Sequence, residues 1–210
     1  GWQIMTDRDT AWRNVDLPHD FQIEQPWAVP DGFTGNRLAA RGFKQMGQAE
    51  YRYHLTLPDS LKDRRLLLDF EGIMYVGDVY LNGQYIGGTD YGYVGFEIDI
   101  TDKLKSDQNN IITVTADTRN PENSRWYTGG GLFRGVKLIA TPRERYFERH
   151  PLYITTQDNR YVKVQAEVTL KNRSRQAGLI LTIYDPDGNI VHKGESTVRR
   201  ITASQTIEYQ

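Results

Sequence analysis

Cysteine is absent from the chain. That excludes disulfides, thiolate metal sites and a cysteine nucleophile. It fits bacterial cytoplasm, periplasm and cell surface alike, so localisation stays open. Net charge is nearly absent too: 26 Lys and Arg stand against 27 Asp and Glu, a formal charge of -1. Nothing in that balance points to nucleic acid or to an anionic membrane as a partner. No apolar run approaches the ~20 residues needed to cross a bilayer, and no signal peptide is visible. The chain opens Gly1-Trp2-Gln3 rather than with Met, so the natural N-terminus is expected to be missing. The G-x-S-x-G elbow, the phosphate-binding G-x-x-x-x-G-K-[ST] loop and the H-E-x-x-H zinc helix are all lacking. The histidines (His19, His54, His150, His192) are scattered, with none at metal-ligand spacing from another. Neither a metal site nor a cofactor is expected.

Aromatic residues, by contrast, are abundant: 13 Tyr, 7 Phe and 4 Trp among 210 residues. They suit strands, and they also stack on sugar faces. The hydrophobic pattern is mostly period-two. "YRYHLTL" puts Tyr51, Tyr53, Leu55 and Leu57 on one face, and "RLLLDFEG" reads as a buried run. In "VGDVYLNGQYIGG", Asn82-Gly83 separates two strand-like pieces, a hairpin signal because both residues tolerate positive φ. Phe96, Ile98 and Ile100 follow in phase, then Ile112, Val114 and Ala116, then Val136, Leu138 and Ala140. With no long amphipathic helix in sight, the fold class is all-β, an antiparallel sandwich or barrel.

The character changes at Thr141-Pro142. "TPRERYFERHP" is polar and holds two prolines, each biasing its predecessor toward extended backbone. A domain boundary is placed there, giving domains 1–141 and 142–210. Beyond it, Val162, Val164, Ala166, Val168 and Leu170 share one strand face. "LILTIYDPDGNIVHKGE" reads as two strands joined by a turn at Asp185-Pro186-Asp187-Gly188. The pattern suits an immunoglobulin-type sandwich, which takes ~100 residues. The chain supplies fewer, so this second sandwich is expected to be truncated, about two strands short. An exposed sheet edge would then allow edge pairing, which leaves a homo-oligomer open.

Candidate chemistry is sparse. "DPDGN" looks superficially like a calcium loop, but its Gly is one place early and no acidic residue closes it; a hairpin turn is the stronger reading. Asn172-Arg173-Ser174 fits the N-glycosylation triplet, a pattern common by chance. Glu71, Asp78, Asp90, Glu97, Asp99 and Asp117 lie on or beside strands. A glycosidase needs two carboxyls ~5–5.5 Å apart for retention or ~6.5–9.5 Å for inversion, a spacing that sequence does not reveal. "WRNVDLPHDFQIE" offers either a site built from Asp16, His19 and Asp20 or a segment pinned across the sandwich by hydrogen bonds of His19 and Asp20. The pinned segment is the preferred reading.

Taken in order, "WRNVDLPHDF", "YRYHLTLP", "FEGIMYVGDVYLNGQYIG", "FEIDIT", "NIITVTAD" and "SRWYTGGGLFRGVKL" resemble the N-terminal part of a family 2 glycoside hydrolase of the bacterial β-galactosidase type. The resemblance implies a jelly-roll, galactose-binding-like domain over 1–141 and the start of an immunoglobulin-like domain over 142–210. In that family the catalytic acid/base and nucleophile, both Glu, come from a later TIM barrel, so no residue here is expected to be catalytic. Members are retaining exo-glycosidases, and the first domain lends a loop to the rim of the barrel's sugar pocket. Carried over, Asn123, Ser124, Arg125, Trp126 and Tyr127 are the candidate substrate-binding residues. Arg125 has the planar fork for two oxygens, and Trp126 or Tyr127 can stack on a pyranose or wedge into the domain interface. The implied partners are a β-galactoside or related carbohydrate and the chain's own downstream barrel. Some β-galactosidases carry an aspartate near this loop that helps bind sodium and sugar. Ser124 stands there instead, which argues against a metal and softens the galactose preference. β-Glucuronidases and β-mannosidases share the same plan, and an autonomous carbohydrate-binding module is the rival reading.

Overall fold

The computed structural model describes residues 1–27, 43–105, 109–119, 127–157, 161–170, 177–198 and 207–209. Among these, regular structure is β throughout, apart from a 3-10 turn at Asp59–Leu61. The chain divides into two compact units: Gly1–Lys62 with Leu66–Ala140, and Asp63–Arg65 with Thr141–Gln210.

In the first unit, β1 (Trp2–Thr6), β2 (Arg13–Val15), β3 (Gln48–Leu55), β5 (Val76–Leu81), β6 (Gln84–Thr89) and β8 (Asn110–Asp117) form one sheet in the order β2-β1-β3-β8-β5-β6. Every pairing in it is antiparallel. A smaller sheet runs β7-β4-β9, from β4 (Arg65–Phe70), β7 (Phe96–Asp99) and β9 (Val136–Thr141). The period-two pattern decides which side chains go inward, because alternate residues of a strand face opposite ways.

Register then aligns those side chains into rows. Ile4 pairs with Tyr51, Tyr51 with Val114, and Val114 with Val79. All four are completely buried. The small sheet meets that row with Leu66, Leu68, Phe70 and Ile98, and Phe70 stacks on Phe96 at 5.2 Å between ring centres. β4 carries the run read as buried in the sequence, and Leu66 through Phe70, Asp69 among them, are buried on both faces. The Asn82-Gly83 turn takes the positive φ values its composition allows, 53° and 81°. Asn82 secures it further: its Oδ1 accepts from the Ile111 amide at 3.0 Å and its Nδ2 donates to Asn110 Oδ1 at 2.9 Å.

The second unit holds β10 (Arg145–Gln157), β11 (Tyr161–Leu170) and β14 (Ile207–Tyr209) in one sheet, and β12 (Ala177–Tyr184) with β13 (Ile190–Val198) in another. The polar, proline-bearing segment after Thr141 is not a bare linker. Arg145 to Phe147 pair with Leu170 to Val168, and the register shifts only between Phe147 and Leu152. Pro151 lies inside that irregularity, where it has no ladder bond to donate. The β12–β13 turn is a hairpin whose Asp185 carboxylate is consumed locally. It accepts from the Asp187 and Asn189 amides at 3.0 and 2.8 Å and from Asn189 Nδ2 at 3.0 Å.

Truncation in the central row should be costly, since it opens a cavity among residues from both sheets. Ile4→Ala is expected to lower unfolding free energy by about 2–5 kcal/mol. Urea denaturation should show this as a lower midpoint at unchanged slope.

Candidate functional site

The segment "LPHDFQIEQ" (Leu17 to Gln25) and the glycine-rich "YTGGGLF" (Tyr127 to Phe133) lie far apart in sequence and directly against each other in the fold. Two backbone bonds lace them: His19 N–H donates to Leu132 O at 2.8 Å, and Phe21 N–H donates to Gly130 O at 3.1 Å. Side chains reinforce the lacing. The Asp20 Oδ1 atom accepts from Gln22 N–H at 2.9 Å and from Gly130 N–H at 2.8 Å. The first is the local Asx-type turn that aspartate favours; the second ties that turn to the glycine stretch. Oδ2 accepts from the Tyr127 hydroxyl at 2.7 Å.

His19 extends the network inward and outward. Its Nδ1 lies 2.9 Å from the hydroxyl of fully buried Tyr51, and its Nε2 lies 3.1 Å from Glu24 Oε1. Glu24 also pairs with Arg13 on β2. Tyr51 belongs to the central core row, so this network is anchored in the sandwich. Burial, above all, pushes the Tyr51 hydroxyl far above the ordinary tyrosine range.

Glycine is required where the two segments touch. Gly131 has φ +99°, and a Cβ built there would sit 2.1 Å from the Tyr51 hydroxyl oxygen. Gly129 has φ +78°, and its Cβ would fall 2.8 Å from Asp20 Oδ2. Neither position has both the backbone conformation and the space for a side chain.

On the other flank, Tyr75 adopts φ +65°, an uncommon conformation for a bulky residue. Its hydroxyl lies 2.6 Å from Thr128 Oγ1. Next to it, Met74 N–H donates to Gly131 O at 2.9 Å. The stretch 127–131 is thus gripped from both sides, by 19–21 and by 74–75.

Of the candidate substrate-binding residues, Asn123, Ser124, Arg125 and Trp126 lie outside the described residues. Tyr127 is described and 37 % exposed. Desolvation first, and then the bond to Asp20, raise its hydroxyl pKa well above the usual value. Tyr127 is therefore a neutral donor to a carboxylate rather than a side chain extended into solvent. Of the alternative trio, His19 and Asp20 are joined to the glycine stretch, whereas Asp16 is exposed. The pinned-segment reading of His19 and Asp20 describes this geometry.

Of the carboxylates on or beside strands, Glu71 and Asp117 are engaged elsewhere. Glu71 accepts from Gly135 N–H at 3.1 Å and pairs with Lys137, which chiefly holds its pKa below the carboxylate range. Asp117 is held down first by its hydrogen bonds from Arg119. A general acid needs the opposite shift.

A family model described as glycosyl hydrolase 2 galactose-binding domain-like matches residues 2–129. The chain belongs to glycoside hydrolase family 2. It is 32 % identical over 196 residues to the β-galactosidase BoGH2A of Bacteroides ovatus, a match covering 90 % of this chain and 22 % of that protein. It is 24 % identical over 220 residues to a β-glucuronidase of Formosa agariphila, covering 93 % of this chain and 22 % of the relative. Among solved structures, a β-glycosidase from Bacteroides vulgatus superposes with a TM-score of 0.82 at 24 % identity, over all of this chain and 28 % of the other. The chain thus spans 22 % to 28 % of the length of these proteins. The family match includes the "LPHDFQIEQ" segment and ends at Gly129, just before the glycines that it is laced to.

Sequence reasoning missed two members of the arrangement. Tyr75 and Tyr51 sat among ordinary strand residues and carried no signal of their special contacts. The glycine triplet was the one hint, since consecutive glycines ask what comes too close for a side chain.

The contact at Gly131 can be tested directly. Gly131→Ala is expected to destabilise the fold by more than about 3 kcal/mol. Adding Tyr51→Phe should recover part of that loss by removing the clashing oxygen, while the cost of the positive φ remains. Thermal or urea unfolding of the single and double variants measures both.

Alkaline pH gives a second check. The Tyr51 and Tyr127 pKa values are raised in the folded state, so their contribution is complete below the unfolded value of about 10 and is lost as pH rises beyond it. Tyrosinate absorbance should show these two hydroxyls ionising together with loss of structure, after the exposed tyrosines have titrated.

Proposed function

We propose that this chain is a non-catalytic part of a retaining family 2 exo-glycosidase, supporting and shaping the sugar pocket of a TIM-barrel catalytic domain. The parent enzyme removes terminal β-glycosides, with β-galactosides as the first choice and β-glucuronides as the nearest alternative. The observation that carries this reading is the anchoring of Tyr127 on Asp20. It fixes Tyr127, the last residue of the candidate Asn123–Tyr127 stretch, to the sandwich. A loop held in this way can contribute contacts to a pocket built elsewhere. The lowered pKa values of Glu71 and Asp117 count against either as a general acid. The two sheets of the second unit serve as the immunoglobulin-like spacer of such an enzyme.

The reading predicts that the isolated chain hydrolyses neither nitrophenyl β-galactoside nor nitrophenyl β-glucuronide. It also predicts that galactose and glucuronate, up to about 50 mM, leave the amides of Tyr127 to Gly131 unshifted in NMR spectra, because half a pocket holds no sugar. Turnover abolished by Glu71→Gln or Asp117→Asn would overturn the non-catalytic role. Saturable shifts at Tyr127 to Gly131 would favour an autonomous carbohydrate-binding module.

A further inference from the structure

The chain contains a single Asn-Gly pair, Asn82-Gly83, at the turn between β5 and β6. It takes no part in the network above. Asn-Gly is a dipeptide with a reaction of its own. The Gly83 backbone nitrogen can attack the Asn82 side-chain carbonyl carbon, because glycine has no side chain to shield its amide. The bond from that carbon to Nδ2 then breaks. Ammonia leaves, carrying the proton from the Gly83 nitrogen, and a five-membered succinimide closes. Water opens the ring to aspartate or to isoaspartate. In sum, asparagine and water give an acid and ammonia, with no oxidant or further reactant.

The fold ties down the group that must move. Asn82 is fastened to the start of β8 by three bonds. Its N–H donates to Ile111 O at 2.8 Å. Its Oδ1 accepts from Ile111 N–H at 3.0 Å, and its Nδ2 donates to Asn110 Oδ1 at 2.9 Å. Both polar atoms of the carboxamide are therefore held by another strand, and turning its carbon toward the Gly83 nitrogen breaks both bonds. Asn110 is itself locked. It is 1 % exposed, its Oδ1 also accepts from Lys105 N–H at 2.9 Å, and its Nδ2 donates to Lys105 O at 3.1 Å. Backbone partners thus fix the orientation of both side-chain amides. Gly83, by contrast, is exposed, and a Cβ there would meet nothing within 4 Å. Water and hydroxide reach the turn freely, so the anchorage of the carboxamide protects the site, not cover.

The product does not fit the lock. In aspartate an oxygen takes the place of Nδ2 and faces Asn110 Oδ1, so two acceptors meet once the carboxyl is ionised. Asn110 turns its NH2 toward that oxygen only by giving up Lys105. In isoaspartate the main chain runs through the side chain and gains a methylene at residue 82. That breaks the two-residue turn on which the hairpin register depends. β5 lies between β8 and β6 in the large sheet and carries Val79 and Leu81 into the core.

We propose that Asn82-Gly83 is a deamidation site that the native hairpin holds shut, and that its modification in the opened chain makes unfolding of the first unit irreversible. The carboxamide reacts only while its bonds to Asn110 and Ile111 are open. The native rate is therefore the unfolded rate scaled down by the opening equilibrium. A modified chain no longer rebuilds the lock, so each opening that ends in reaction is lost to the folded population.

The test keeps two samples of the whole chain at the same mildly alkaline pH, one native and one in urea. Residue 82 is followed by peptide mass mapping and an isoaspartate assay. Aspartate and isoaspartate should form at 82 about a hundredfold or more slowly in the native sample. After dilution from urea, recovery of native tryptophan fluorescence, to which Trp2 and Trp12 of the first unit contribute, should fall in step with modification. Asn82→Gly keeps a residue that accepts positive φ and removes the carboxamide. It should refold as fully after long storage in urea as after short storage. The proposal is overturned if native and urea-stored chains are modified at equal rates, or if the fully modified chain regains the native signal. It is equally overturned if freshly unfolded chain, unmodified at 82, already fails to refold, or if Asn82→Gly loses refolding as fast as the parent.

Discussion

One carboxylate joins two distant stretches of the first unit. Asp20 accepts from the amide of its own turn at Gln22, from the Gly130 amide and from the Tyr127 hydroxyl. Each bond is charge-assisted, and such bonds are shorter and stronger than neutral ones. Without them the glycine-rich stretch would keep only its backbone bonds and the Tyr75–Thr128 contact, and glycine is the residue that loses most freedom on ordering. The triple acceptance makes a glycine-rich segment compatible with a fixed loop end. The same closeness forbids side chains at Gly129 and Gly131, so residue type and contact are two sides of a single constraint.

The constraint is transmitted inward through His19. Its ring spans from the core, at Tyr51, to the surface, at Glu24. Tyr51 in turn sits in the row Ile4, Tyr51, Val114, Val79 that runs across four neighbouring strands. A phenol is an unusual choice for the middle of an apolar row, because a buried hydroxyl without a partner is costly. Here the hydroxyl has its partner, and what it gains is position: the core dictates where the His19 ring sits, and with it where the segment carrying Asp20 crosses the sandwich. The loop end is therefore set by packing and needs no flexible adjustment of its own.

How much of this is legible in the sequence varies with the kind of interaction. Strands are legible because period-two burial leaves a direct trace: Tyr51, Leu55, Ile112, Val114 and Ala116 all face inward as the alternation requires. The Asn82-Gly83 hairpin is legible because positive φ restricts residue choice. The strand after Thr141 is hard to read because polar residues and prolines obscure its pairing, yet a proline tolerated at a register shift leaves the flanking residues paired. Contacts between distant segments leave the weakest trace. "PHD" and "GGG" each look unusual alone, but nothing local states that Asp20 and Gly130 meet. Tyr75 is less legible still, since its positive φ contradicts its residue type and is imposed by the surroundings of Thr128 and Met74.

A loop that contributes to a pocket formed by another domain must satisfy two opposed demands. Its contacting residues must remain available, so they cannot be spent on bonds to their own domain. Its ends must nonetheless be placed closely, because a small displacement at the base is carried to the tip. The bonds to Tyr127, Thr128 and the glycines meet the second demand at one end of the loop. In the proposed reading Tyr127 anchors that end on Asp20.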